Sequence, residues 1–157
     1  MSQVYCDVHV HFVWRTKFNR GFLAGGLEKF VHHRLGEIGA ENGVKLLAVN
    51  SAWDHVHCLF EWNTSQSFGD VVQKLKCRTS TEWNEMVELS GIDMPKLFWQ
   101  RGYGVIAVET SNIHRIIAYI ANQKAHHHNG SIDTLFETTR RTTSNHPTPK
   151  RTHREAR

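Results

Sequence analysis

Apolar and polar residues alternate with a period of two from residue 4 to 14. Cys6, Val8, Val10, Phe12 and Trp14 fall on one side, and Tyr5, Asp7, His9, His11 and Val13 on the other. This is the pattern of a half-buried strand. Over 27–42 the period becomes helical: Leu27, Phe30, Val31, Leu35 and Ile38 recur on one face, and Asn42-Gly43 supplies a stop. Residues 44–52 and 55–62 read as two strands joined near Trp53-Asp54, which predicts a hairpin. A second helix is expected over 67–88, capped by Ser65 or Ser67, with Phe68, Val71, Val72, Leu75, Trp83, Met86 and Val87 as its apolar positions. A strand over 103–109 and a helix over 111–126, opened by Ser111, complete the pattern.

The order β-α-β-β-α-β-α begins with the ferredoxin-like arrangement, in which two helices cover one face of a four-stranded antiparallel sheet. The expected fold class is therefore α+β, ferredoxin-like, with an added C-terminal helix. One domain is expected over 1–130. Residues 131–157 read as a basic, disordered tail, because 138–157 hold six Arg or Lys and two Pro with no apolar periodicity.

The 157 residues suit one domain with one core. No apolar run is long enough to cross a bilayer and no signal peptide is visible, so a cytoplasmic protein without a membrane partner is expected. The formal net charge of +4 leans towards a polyanionic partner. Cys6, Cys58 and Cys77 are widely spaced and form no C-x-x-C, which argues against a cysteine zinc site. They read as small buried filler in a reducing compartment.

Two patterns carry chemistry. In His55-Val56-His57, residues i and i+2 of a strand share a face at a spacing of about 6.6 Å, so two imidazoles can converge on one ion. His9-Val10-His11 has the same spacing, and spacing alone does not choose between the pairs. On a neighbouring strand, His9 or His11 could instead support the ligands from outside. Glu61 continues the histidine face as an outer ligand or a solvated charge. On the last helix, Ile113, Ile116, Ile117 and Ile120 form the buried stripe, and Tyr119 and Gln123, four apart, lie at its border. A free tyrosine, with a pKa near ~10, needs help to act as a nucleophile. A divalent ion would help by drawing charge from a phosphate. Gln123 offers a neutral oxygen ligand, and such mixed ligation suits Mg²⁺ or Mn²⁺.

The chain resembles the single-tyrosine HUH transposases of small bacterial insertion sequences, the IS200-like family, and their relatives associated with repetitive extragenic palindromes. Four segments carry the resemblance in order: His11-Phe12-Val13-Trp14-Arg15-Thr16-Lys17-Phe18, Asp54-His55-Val56-His57, Lys74-Leu75-Lys76-Cys77-Arg78-Thr79-Ser80, and Tyr119-Ile120-Ala121-Asn122-Gln123. Trp53 stands where the family commonly has Pro, and Cys58 where Leu is usual. The resemblance implies a DNA transposase that cleaves and rejoins single strands. Tyr119 would form a 5′-phosphotyrosine link and free a 3′-hydroxyl. His55, His57 and Gln123 would hold the divalent ion. The substrate would be single-stranded DNA with hairpin ends, and the enzyme a homodimer in which the catalytic helix can serve the partner's histidines.

Arg15, Lys17 and Arg20, in a loop after a strand, are candidate phosphate contacts. Lys74, Lys76 and Arg78 on the second helix are further candidates. Phe18, Trp53, Trp62 and Tyr103 could stack on unpaired bases or belong to the core. His126-His127-His128, at a helix end, reads as a favourable charge on the helix dipole. Two competing readings remain: a non-catalytic nucleic-acid-binding module, and a phosphodiesterase that uses water as nucleophile.

Overall fold

The computed structural model describes residues 3–139. Four strands, β1 (His9–Arg15), β2 (Lys45–Ser51), β3 (His55–Glu61) and β4 (Gly104–Val108), form one sheet in the order β2-β3-β1-β4. Every neighbouring pair is antiparallel. Helices α1 (Gly25–Glu41) and α2 (Phe68–Ser90) link the strands in ferredoxin-like order. Three short helices follow: α3 (Ile113–Ala121), α4 (Gln123–Asn129) and α5 (Thr134–Glu137).

The period-two pattern divides the sheet into two faces. Val10, Phe12 and Trp14 of β1 and Val56, Cys58 and Phe60 of β3 share a core with Leu27, Val31, Leu35 and Ile38 of α1 and Val71, Val72 and Leu75 of α2. The opposite face carries His11, His55, His57 and Leu59, and there Leu59 packs with Val108, Ile116 and Ile120. The sheet is thus buried on both sides, which is why both central strands are almost wholly inaccessible.

Local signals explain the element ends. Ser67 caps α2, its hydroxyl accepting from the Asp70 N–H, and Gly91 ends that helix in the left-handed conformation. Asn42 caps α1, and Gly43 follows at φ +73°.

Four expectations need correction. β1 begins at His9 rather than residue 4, because Val4 and Tyr5 are exposed and have no strand partner to pack on. The last helix is not continuous over 111–126. It opens with a single 3-10 turn, Thr110–Asn112, and breaks at Asn122, whose side chain turns back to the Ala118 carbonyl. The tail expected from residue 131 has an ordered start, since Asp133 caps α5 and brings Phe136 and Glu137 against the sheet. The rest of that tail, 140–157, lies outside the described residues. Cys58 is buried filler as expected, but Cys77 is exposed and Cys6 half-buried. Among the described residues, no helix is long and apolar enough to cross a membrane.

Candidate functional site

The site forms where β3 meets the far face of the sheet. His55 and His57 leave the strand on the same side and are both fully buried. Each imidazole is fixed through its Nδ1. His55 Nδ1 lies 2.5 Å from Asp54 Oδ1, and Asp54 is itself held by Arg15 Nη1 at 3.1 Å. His57 Nδ1 lies 2.9 Å from His11 Nε2, and the two rings stack at 5.1 Å. Anchoring at Nδ1 leaves Nε2 of both rings free to bind.

Both Nε2 atoms converge on Glu137. His55 Nε2 is 2.8 Å from Glu137 Oε2, and His57 Nε2 is 3.3 Å from Oε1. One ligand atom from each of the three residues lies within 4.8 Å of the others. Yet His55 Nε2, His57 Nε2 and Glu137 Oε2 have no directed hydrogen bond. The imidazole–carboxylate contacts are ion pairs rather than directed hydrogen bonds. Gln123 Oε1 and His127 Nε2 are also buried without a partner. Buried lone pairs left unpaired are costly. Two imidazoles and a carboxylate that close together are a donor set able to hold a divalent cation.

Tyr119 borders this centre. Its hydroxyl donates to Glu137 Oε1 at 2.7 Å and accepts from the Asp133 N–H at 3.2 Å. Its ring stacks on His126 at 4.7 Å. Burial, and then the Glu137 carboxylate, push its pKa up to about 12, so the phenol keeps its proton. Burial acts to raise the Glu137 pKa, but His55 and His57 overturn this and hold it well below the usual carboxylate range. His11 is pushed down to about 3 by burial and by His57. A neutral His11 can accept at Nε2, which suits a His57 that donates from Nδ1. Burial pushes His57 down as well, whereas for His55 the Asp54 and Glu137 contacts outweigh burial and raise it.

The structure thus brings Tyr119, His55 and His57 together and places Gln123, fully buried, at the start of α4, its Nε2 donating to the Tyr119 carbonyl at 3.2 Å. His11 takes the supporting position, while His9, 8% exposed, faces Asp7 at 3.3 Å. Glu61 is exposed and lies away from the centre. The basic candidates divide. Arg15 reaches the site, its Nη2 3.9 Å from Glu137 Oε2. Lys17 and Arg20 flank the exposed Phe18 ring. Lys74 instead bonds Asn42 Oδ1, Lys76 holds the Gln100 and Gly102 carbonyls, and Arg78 pairs with Glu41 and Glu82. Trp62 and Tyr103 pack in the core, while Trp53 is exposed beneath the Lys124 ammonium. Sequence reading missed Glu137, His127 and His126. The signal for Glu137 was present: Asp133 two residues before Leu135-Phe136 is a helix start followed by an apolar pair.

Comparison with known proteins gives this chain its class, a DNA transposase and hence a DNA-cleaving enzyme. The chain belongs to the IS200-like transposase family, whose model matches residues 4–123. It is 26% identical over 122 residues to the ISDra2 transposase TnpA of Deinococcus radiodurans, which covers 74% of this chain and 84% of that protein. Its fold is similar to that of a Deinococcus radiodurans R1 chain assigned as a transposase, with TM-score 0.60 and 23% identity over 79% of this chain and 97% of the other. It is also similar to a REP-associated tyrosine transposase bound to a REP hairpin, with TM-score 0.57 and 15% identity over 81% of this chain and 74% of that one.

Proposed function

We propose that the chain cleaves and rejoins single-stranded DNA through Tyr119, using Mg²⁺ or Mn²⁺. The observation that carries this reading is the pair of imidazoles anchored at Nδ1, with both Nε2 atoms converging beside the Tyr119 hydroxyl. His55 and His57 would hold the cation through Nε2. Glu137, an addition to the set expected from sequence, and Gln123 would supply oxygen. When bound, the cation draws charge from a DNA phosphate and makes it a better electrophile.

The chain's own groups do the rest. Asp54 and His11 hold the imidazoles in the tautomer that leaves Nε2 unprotonated. Tyr119 Oη forms a bond to phosphorus as the bond from phosphorus to the 3′-oxygen breaks, and the leaving oxygen becomes the free 3′-hydroxyl. The phenol proton passes to Glu137 Oε1, its hydrogen-bond acceptor, as the new bond forms, and solvent carries it on to the leaving 3′-oxygen. The link retains the phosphodiester's energy, so attack by a 3′-hydroxyl restores the tyrosine without ATP. Arg15 stands beside the centre to meet the phosphate. Lys17 and Arg20 extend that basic path, while Lys74, Lys76 and Arg78 would have to leave their internal partners to join it.

The REP-bound relative supports hairpin-ended DNA as the substrate. A homodimer is part of the same reading, as is a catalytic domain over 1–130, extended here to Glu137 by the site itself. Incubation with labelled single-stranded DNA from the gene's flanks and Mn²⁺ tests the mechanism. A denaturant-resistant protein–DNA band is expected, lost in Tyr119→Phe and in His57→Ala. Cleavage that persists in Tyr119→Phe without a band would make water the nucleophile and sink the proposal.

A further inference from the structure

Just beyond Arg15 the chain makes a tight turn in an unfavourable backbone conformation. Phe18 and Asn19 both sit in the left-handed region, at φ +61° and +51°. A bulky residue there is strained. The strain yields no core packing, because the Phe18 ring is 74% exposed. The turn is nonetheless firmly held. Thr16 Oγ1 donates to the Arg20 carbonyl at 2.8 Å, and the Lys17 N–H donates to the Phe98 carbonyl at 2.7 Å. That second bond ties the turn to the Phe98 loop, whose own ring is 52% exposed.

The two rings, with Lys17, form a wall shared by two clefts of about 1040 and 230 Å³. Arg101 lines the larger cleft, and Arg20 and Lys96 the smaller. The Lys17 ammonium lies 5.3 Å and the Arg20 guanidinium 5.9 Å from the Phe18 ring centre. Exposed aromatic faces set among cations are what a strand with splayed bases requires, for every base has a π-face and every linkage a negative charge. A paired duplex offers only its backbone.

We infer that this wall seats unpaired nucleobases of the DNA strand, stacked on Phe18 and Phe98, with Lys17, Arg20 and Arg101 on the neighbouring phosphates. The seat begins two residues after Arg15, whose guanidinium reaches Glu137 of the site. The inference rests on the single-strand reading above and adds residues that reading does not use, Phe98 and Arg101.

Equilibrium binding of the full chain, in chelator so that no cleavage occurs, tests it. The probes are oligothymidine with one 2-aminopurine, a blunt hairpin with 2-aminopurine in its loop, and a blunt duplex of the same stem. Phe18→Leu and Phe98→Leu should each weaken binding to an unpaired probe on the order of tenfold and abolish its fluorescence quenching, leaving duplex affinity unchanged. Quenching of the oligothymidine alone assigns the seat to a single-stranded flank, and quenching of the hairpin to loop bases. Arg101→Gln should lower the salt slope by about one. Both exposed-ring variants should melt like the parent. Unchanged affinity and quenching in both Leu variants, or equal losses on the duplex, would overturn the seat while leaving the Tyr119 adduct intact. Failure to bind any of the three probes would overturn both proposals.

Discussion

His11 shows how much one side chain outside the proposed ligand set can decide. It lies opposite Leu59 in the β1–β3 register, two pairs along from His57. Its Nε2 is the partner that fixes the His57 ring. Removing it leaves the ligand in place but free to rotate and to change tautomer. His11→Ala should therefore lower Mn²⁺ affinity roughly 10- to 100-fold, read by calorimetric titration. Adduct formation should recover at saturating Mn²⁺. Loss that saturating metal cannot restore would assign His11 another role. The same spacing that left His9-x-His11 and His55-x-His57 indistinguishable in sequence is resolved by neighbours: Asp54, Arg15 and Glu137 surround one pair only.

At the scale of elements, α5 and β4 meet closely enough to position Glu137. A Cβ on Gly104 would lie 2.1 Å from the Thr138 carbonyl oxygen and 2.8 Å from Val13 Cγ1. Backbone cannot yield that far, so Gly104→Ala should push the Glu137 segment off the sheet. Faster amide exchange over 133–139, with β1 and β3 unchanged, is the expected result; undisturbed exchange there would contradict the packing. A second element contact joins α1 to α2. Arg34 pairs with Glu82, at Nε–Oε2 2.6 Å, and also with Glu37, while Arg78 bridges Glu82 and Glu41. Hydrogen bonding to Arg34 holds the Glu82 pKa below its ordinary value. A depressed carboxylate contributes stability above its unfolded pKa and loses it as pH falls through the folded one. The clamp should therefore be intact at neutral pH and weaken in the acid range. Glu82→Gln should cost no more than about 1 kcal/mol at neutral pH, since the pair is solvated. It should also flatten the acid limb of a melting-temperature profile.

For the molecule as a whole, positive charge is concentrated at the C-terminal end of the sequence. Arg140, Arg141, Lys150, Arg151, Arg154 and Arg157 face a single acid, Glu155, in the last eighteen residues. The net charge of +4 thus resides in that segment, and the remainder is close to neutral. A chain ending at Thr139 should keep its melting temperature but bind single-stranded DNA more weakly. The slope of affinity against salt should also flatten, as fewer counterions are released. An unchanged slope would mean that the terminal cations do not touch the strand.

The sequence by itself determined most of the layout. Period-two and helical spacings located all four strands and both long helices, because β1, β2 and β3 each turn one face to the core under α1 and α2 and each helix has a single apolar stripe. The His55–His57 pair and the Tyr119–Gln123 pair were visible because their members stand at the spacing of one strand face and one helix turn. Tertiary structure decided the rest. The break at Asn122 depends on a side chain folding back on its own backbone. The choice of His11 over His9 depends on sheet register. Glu137 enters the site because α5 docks on a strand far away in sequence, and the Phe18 turn gains its meaning from a bond to Phe98. Local patterns record which face a residue needs to bury; they do not record which distant segment will arrive there to meet it.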